Sequence, residues 1–390
     1  LGFFTVATAV LNARRRFAAP MFTPVLNNLI AIAVILMLPR IAGDVAIGRI
    51  ADDRSALLWL GLGTTTAYGV QAIGLGVALR RAGARLRPVW DLHHEAVRSV
   101  LRLSGWTIGF VIANQLALFA VYALATDKGG DLSAYQAAFR FFQLPHAVLT
   151  VSIMSALQPE LAQRWHSGAV ADFRHRLAAG VRLTAGLLVP AAAGYALLAG
   201  PIIRVVLEHG ELATASARAT GDTLAIFALG LPGFSIFLLL TRAYQAMQDT
   251  RSVFVLYLGE NAANVVLAVA LYPAHGVRGL AAAYGLAYTG AAIAATAHMA
   301  RRLGGFEGTQ TRSTLVRIGA GAAAMSAMVA IVVRVLPHGS FVADSFRIAA
   351  AIVTGLAVYA AAARTLHLDD VLAALPRRRG AAAGSLPSPD

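Results

Sequence analysis

From Leu1 to Asp390 the chain alternates apolar stretches of roughly twenty residues with short polar connections. A run of that length crosses the hydrocarbon of a bilayer as one helix. The pattern predicts complete spans over Thr23–Leu38, Ala56–Leu79, Ser104–Ala125, Ala134–Gln158, Leu183–Val206, Leu224–Ala246, Val253–Tyr272, Leu280–Ala300, Leu315–Val335 and Phe346–Ala363. Leu1–Asn12 is only about half a span and reads as the tail of a truncated helix. The expected fold is an all-α polytopic membrane protein of about ten complete transmembrane helices plus a remnant. Leu1 is not a methionine, and no charged segment precedes the first apolar run as a signal peptide requires, so the chain reads as a fragment whose upstream part is missing.

The connections divide the chain. Residues 1–82 hold the remnant helix and the first two spans, with Arg14, Arg15 and Arg16 after the remnant and Asp44, Asp52 and Asp53 in a polar loop. Residues 83–103 form a basic connection, read as an amphipathic interfacial helix, and residues 104–304 carry the main run of helices. Within that run Leu161–Arg176 reads as a polar linker. Residues 305–366 hold the last two spans, and residues 367–390 a basic tail rich in Pro, Ser, Gly and Ala, expected to be disordered.

Composition supports the class. Of 390 residues, 58% are hydrophobic and 13% charged, against about 25% charged in soluble domains. A net charge of +14 would suggest nucleic acid in a soluble protein, but here the arginines lie between apolar runs and mark membrane sidedness. If the Arg14–Arg16 side is cytoplasmic, the connections on that side carry more than twice the Lys and Arg of the opposite ones. The positive-inside rule then places the C-terminus in the cytoplasm. The basic Arg80–Arg102 connection is suited to anionic lipid. The chain has no cysteine, which removes disulfides, thiolate catalysis and Cys-ligated metal. No metal-ligand pattern and no phosphate-binding GxxxxGKS loop occur, so no cofactor, metal site or direct ATP drive is expected.

Two intramembrane constellations stand out. The first is Arg140, the one charged residue between Asp131 and Glu160. A cation in a spanning helix costs about 2.5–3.5 kcal/mol on insertion scales. Either it snorkels outward as an anchor, or it faces a water-filled cavity and binds an anion such as phosphate through its planar fork. Pro145, one turn deeper, breaks the hydrogen-bond ladder and is a candidate hinge. By this reading Arg140 is the only basic residue outside loops and helix ends. The second constellation is Glu260 with Asn264, spaced i, i+4, with Tyr257 one turn before. A carboxyl near the midplane is either a protonated group bonded to a neighbouring helix, a partner of a cation (Arg140 among them), or a proton or sodium coupling site.

Other features read more simply. His93, His94 and His166 belong to basic loops exposed to water, and Gly319 and Gly321 are helix-packing positions. Asn27 and Asn28 either touch a substrate or bond between helices.

Three separated segments resemble the MurJ (MviN) lipid II flippase family: LNARRRFAAPMFTPVLNNL, FRFFQLPHAVLTVSIMSALQPELAQ in its actinobacterial-type form, and LEHGELATASARATGDTLAIFALGLPGFSIFLLLTRAYQAMQDTRSV. The resemblance implies the C-terminal part of a fourteen-helix, two-lobe fold of the multidrug/oligosaccharidyl-lipid/polysaccharide exporter superfamily. The ten spans would be helices five to fourteen, the last two forming a groove for the lipid tail. It implies a transporter rather than an enzyme, moving the undecaprenyl-pyrophosphate-linked peptidoglycan precursor across the bacterial inner membrane. Arg140 matches an arginine of the family's cationic cavity. Gln143 stands where many relatives carry a glutamate, which leaves Arg140 without an acid on its next turn. Arg140, Gln143 and Asn27 are thus the candidate substrate-binding residues. Glu260 and Asn264 fall where some relatives place a sodium site, with the acid at the first position rather than the second. The seventh-helix acid of that site has no counterpart in Ser104–Ala125, so protons or membrane potential are equal candidates for coupling. The arginines of the family's first two helices would belong to the missing N-terminal helices. The competing readings are another exporter of the same superfamily, a membrane enzyme of lipid metabolism, and a structural scaffold.

Overall fold

The computed structural model describes residues 2–14, 16, 18–42, 53–84, 95–126, 129–207, 214–337 and 339–374. The loop with Asp44 and Asp52, the connection over 85–94 with His93 and His94, the loop residues Asp127 and Lys128, and the tail beyond 374 lie outside the described residues. Every element among the described residues is helical, and nine helices there are long and apolar enough to cross a membrane. The expected span Ala56–Leu79 also forms a helix, but three threonines and Gln71 dilute its apolarity and it falls outside those nine.

The chain divides into two compact units, residues 1–94 and 95–390. The first contains α1 (Gly2–Ala13), α2 (Ala18–Ala42) and α3 (Arg54–Arg81). Asp53 starts α3 as an N-cap, its carboxylate accepting from the Ser55 and Ala56 N–H groups. α2 and α3 are joined by Trp59 Nε1–H donating to the Val34 carbonyl at 2.8 Å.

The second unit contains α4 (Glu95–Ala125), α5 (Asp131–Pro145), a π-turn (His146–Thr150), α6 (Val151–His166) and α7 (Val170–Leu207). α8 (Thr214–Ala246), α9 (Thr250–His275), α10 (Val277–Arg302), α11 (Gly308–Val335), α12 (Phe341–Thr365) and the short α13 (Asp369–Ala374) follow. α8 is its centre, packed by α5, α6, α7, α9 and α10. At the α8–α10 crossing, a Cβ on Gly230 would stand 2.5 Å from the Gly285 Cα. Two bare backbones in contact are how helices approach closely where lipid supplies no hydrophobic drive. Phe142, Phe227, Phe234, Tyr284 and Tyr288 interlock around that crossing in tilted and edge-to-face pairs. α11 and α12 pack on α7, where the Tyr359 hydroxyl donates to the Gly186 carbonyl at 2.6 Å.

Two expectations about connections are corrected. The supposed linker Leu161–Arg176 is helix except for a turn at 167–169, where Gly168 takes φ +75°. Its charges hold it: Glu160 accepts from Arg176 at 2.6 Å and lies 3.9 Å from Arg164, so polar residues here pair along and between helices. His166 ends α6, exposed but bonded through Nδ1 to the Ala162 carbonyl. The tail begins with structure as well, since α13 docks Val371 against the α7–α11–α12 core. Of the two glycines read as packing positions, Gly321 meets Tyr359 while Gly319 faces open space.

Candidate functional site

α5, the π-turn and α6 make one continuous rod, because small and apolar residues dominate it and its prolines interrupt single bonds only. Tyr135, Ala138, Phe142, His146 and Thr150 recur at helical spacing and are buried. The other side carries Arg140 and Gln143, three residues apart and both exposed. Arg140 lies about nine residues past the start of α5, or ~14 Å at 1.5 Å per residue. Among the described residues no carboxylate pairs with it. The structure therefore brings Arg140 and Gln143 together on one open face.

Pro145 acts as the sequence suggests, with a detail that spacing alone does not reveal. Lacking an N–H, it leaves the Phe141 carbonyl without its helical donor. The Tyr195 hydroxyl of α7 donates to that oxygen at 2.9 Å. Directly after Pro145 the backbone opens into the π-turn, closed by the Val151 N–H to the His146 carbonyl. Such turns are frequent at functional positions. The buried His146 ring then fixes the rod to α8, its Nδ1 2.9 Å from Ser235 Oγ.

Glu260 and Asn264 share the buried face of α9 and line a cavity of about 210 Å³. Both Glu260 oxygens and the Asn264 Oδ1 are buried without a hydrogen-bond partner. Arg140 is not the partner of Glu260: it does not line this cavity, and among the described residues no cation pairs with the carboxylate. Sequence reasoning missed the rest of the lining. Asn114 of α4 and Asn261 of α9 face the same space, with Tyr135, Tyr284 and Tyr288 from α5 and α10. The one hint in the chain is that Asn114 is an amide in the middle of an apolar span; that it meets the Glu260 turn is visible only in the fold. The set offers one carboxylate plus amide and hydroxyl oxygens, with no cluster of three acids or histidines among the described residues. One carboxylate balances one positive charge, so the cavity suits a proton or a monovalent cation.

Asn27, in the first unit, is half-buried and donates to Gln71 Oε1 of α3 at 3.2 Å. Its bond runs between helices. Arg140 is also not the only cation inside a helix. Arg182 sits twelve residues into α7 and Arg347 six residues into α12, both buried. Each is neutralised: Arg182 by Glu307 at 2.9 Å and Asp370 at 2.6 Å, Arg347 by Asp344 at 2.6 Å. Spacing hid this, because the partners of Arg182 come from positions far along the chain. Arg140 differs from these two in having no acid partner among the described residues.

The family model described as lipid II flippase MurJ matches residues 1–351. A probable lipid II flippase MurJ of Rhizobium meliloti (strain 1021) is 31% identical over 277 residues, covering 70% of this chain and 50% of the relative. That of Rhizobium tropici is 29% identical over 280 residues, covering 72% and 51%. The lipid II flippase MurJ of Burkholderia cenocepacia is 26% identical over 258 residues, covering 65% and 48%. The chain thus spans about half the length of the curated relatives it matches. Among solved structures, lipid II flippase MurJ in an inward closed conformation superposes with a TM-score of 0.72 at 18% identity, covering 94% of this chain and 71% of that one. A Vibrio cholerae MATE transporter gives 0.53 at 14% identity, covering 75% and 64%. The fold is that of these transporters, and the chain belongs to the lipid II flippase MurJ family.

Proposed function

We propose that this protein translocates lipid II, the pyrophosphate-linked peptidoglycan precursor, from the inner to the outer leaflet of the bacterial plasma membrane. The observation that carries the reading is Arg140: an exposed guanidinium well inside a membrane-spanning rod, with no acid among the described residues to neutralise it. Such a group is costly in hydrocarbon and is matched by a polyanion arriving in water. Gln143 on the same face adds an uncharged donor and acceptor for the pyrophosphate or sugar.

The headgroup enters a cationic, water-filled space from the cytoplasm while the prenyl tail stays in lipid. A change in helix packing then opens that space to the outside. Pro145 and the π-turn let the Arg140 half of the rod redirect, with Tyr195 holding the freed carbonyl. The Arg-rich connections face the cytoplasm, as does the C-terminus, and they bind anionic lipid. Proton uptake at Glu260 couples transport to the membrane gradient, since its two unpartnered oxygens have no fixed cation to meet.

Complementation tests the Arg140 role. The protein expressed from its native gene should sustain a strain depleted of its own flippase; Arg140→Ala should abolish growth and Arg140→Lys should restore only part of it. Normal growth of Arg140→Ala at wild-type protein levels would remove Arg140 from the mechanism.

A further inference from the structure

α4 and α9 pack side by side, and two cavities open along their seam. The first, about 390 Å³, lies toward the α8–α9 junction, its polar end made by Thr241, Arg242, Gln245 and Thr250. The second, about 210 Å³, holds Glu260. Phe110 of α4 and Tyr257 of α9 line the first cavity; one helical turn further along, Asn114 and Asn261 line the second. The two cavities are therefore separated by a wall about one ring thick. In that wall the Phe110 and Tyr257 rings lie 4.5 Å apart between centroids, and Phe237 of α8 meets Tyr257 edge-on at 4.9 Å. Tyr257 and Thr241 line the first cavity together.

We infer that the Phe110–Tyr257 pair is the gate on a water route from the α8–α9 end of the protein to the Glu260 carboxylate. As a proton route, the inference rests on the reading of Glu260 as the coupling site. Both spaces are large enough for several waters, and the Phe110–Tyr257 pair, with Phe237 against it, interrupts a file of them. Among the described residues the titratable and charged groups facing Glu260 are tyrosines: Tyr122 from α4, Tyr135 from α5, Tyr257 from its own helix, Tyr284 and Tyr288 from α10. None of them supplies a fixed cation. At the far end of the route Arg242, bonded to Gln245 Oε1 at 3.1 Å, opposes a metal ion that must pass as a body. What moves is a proton exchanged between waters. At the last step an O–H bond forms on the Glu260 carboxylate as one breaks on the adjacent water, which is reprotonated from the next. Rotation of the Tyr257 ring away from Phe110 joins the two spaces, and its return separates them.

Thiol accessibility tests the gate without reference to transport. Asn264→Cys, in a cysteine-free background of the protein expressed from its native gene, is exposed to a membrane-impermeant methanethiosulfonate anion, which Arg242 does not repel, from each face of oriented vesicles. Adding Phe110→Ala or Tyr257→Ala should raise modification about tenfold from the face where α8 meets α9, the factor an aromatic pair contributes to a barrier. Tyr257→Phe, which keeps the ring, should leave the rate within about twofold. If one alanine variant fails to fold, the other gives the same reading, and Phe110→Val supplies a milder opening. An unchanged rate in the folded variants, or an equal rise from the opposite face, overturns the gate. A pH response of transport retained by Glu260→Gln contradicts the coupling reading and with it the proton, whatever the thiol rates show.

Discussion

The Tyr195 hydroxyl of α7 donates to the Phe141 carbonyl of α5, the one carbonyl that Pro145 deprives of its helical donor. A hydroxyl from a neighbouring helix thereby completes the ladder of the rod that carries Arg140. Removing only that oxygen, by Tyr195→Phe, should cost about 1 kcal/mol of stability. Backbone exchange should rise over residues 141–150, and substrate turnover should fall more than substrate affinity. Protection over these residues identical to the parent would show that the carbonyl does not depend on Tyr195.

Arg182 ties three distant segments, since Glu307 opens α11 and Asp370 begins α13. Arg182→Ala leaves two carboxylates facing a void and should destabilise by about 3 kcal/mol. Replacing all three together (Arg182→Met, Glu307→Gln, Asp370→Asn) should recover most of that loss. Chemical unfolding in detergent measures both, and a single-variant loss below about 0.5 kcal/mol would make the cluster a surface ornament.

Acid should loosen the helix ends outside the membrane. At Glu307 burial opposes the charge, but bonds from His175 and Arg182 outweigh it and hold the carboxyl below its ordinary value of 4.5. At Asp249 burial again opposes the charge, and Ser252 and Arg302 outweigh it, holding the carboxyl below 3.8. A carboxyl lowered by folding binds fewer protons in the native state, so its stabilisation is complete above the ordinary value and is lost as pH falls through the lowered one. The contribution of these two carboxyls to the unfolding midpoint should hold steady from neutral pH down to the ordinary carboxylate range and decline below it, so that Glu307→Gln flattens part of the decline at low pH. A steeper loss above the ordinary values would assign it to other groups.

Gly230 and Gly285 let α8 and α10 touch backbone to backbone. Gly230→Val should force the helices apart and cost roughly 1–3 kcal/mol, while Gly290→Ala, facing open space on the same α10, should be close to neutral. Equal effects of the two would show that the crossing is not tightly packed.

Much of this was legible in the chain because membrane helices announce themselves by length and apolarity, and because a lone charge such as Arg140 is conspicuous in hydrocarbon. The Glu260–Asn264 pair showed for the same reason. What stayed hidden depends on partners far along the sequence. Arg182 looked like a helix-end charge until Glu307 and Asp370 met it, and Asn114 looked unremarkable until α9 brought Glu260 opposite. The Leu161–Arg176 segment read as a linker since polarity is an unreliable sign of a loop when Glu160, Arg164 and Arg176 pair across helices.

The central claim is that Arg140 receives the pyrophosphate of a lipid-linked precursor, and translocation in reconstituted vesicles tests it most directly. With the protein expressed from its native gene, fluorescent lipid II should cross from one leaflet to the other while a labelled phosphatidylcholine does not, and Arg140→Ala should reduce crossing to the rate of empty vesicles. Crossing by Arg140→Ala at the parent rate, or equal crossing of both lipids, would contradict the account.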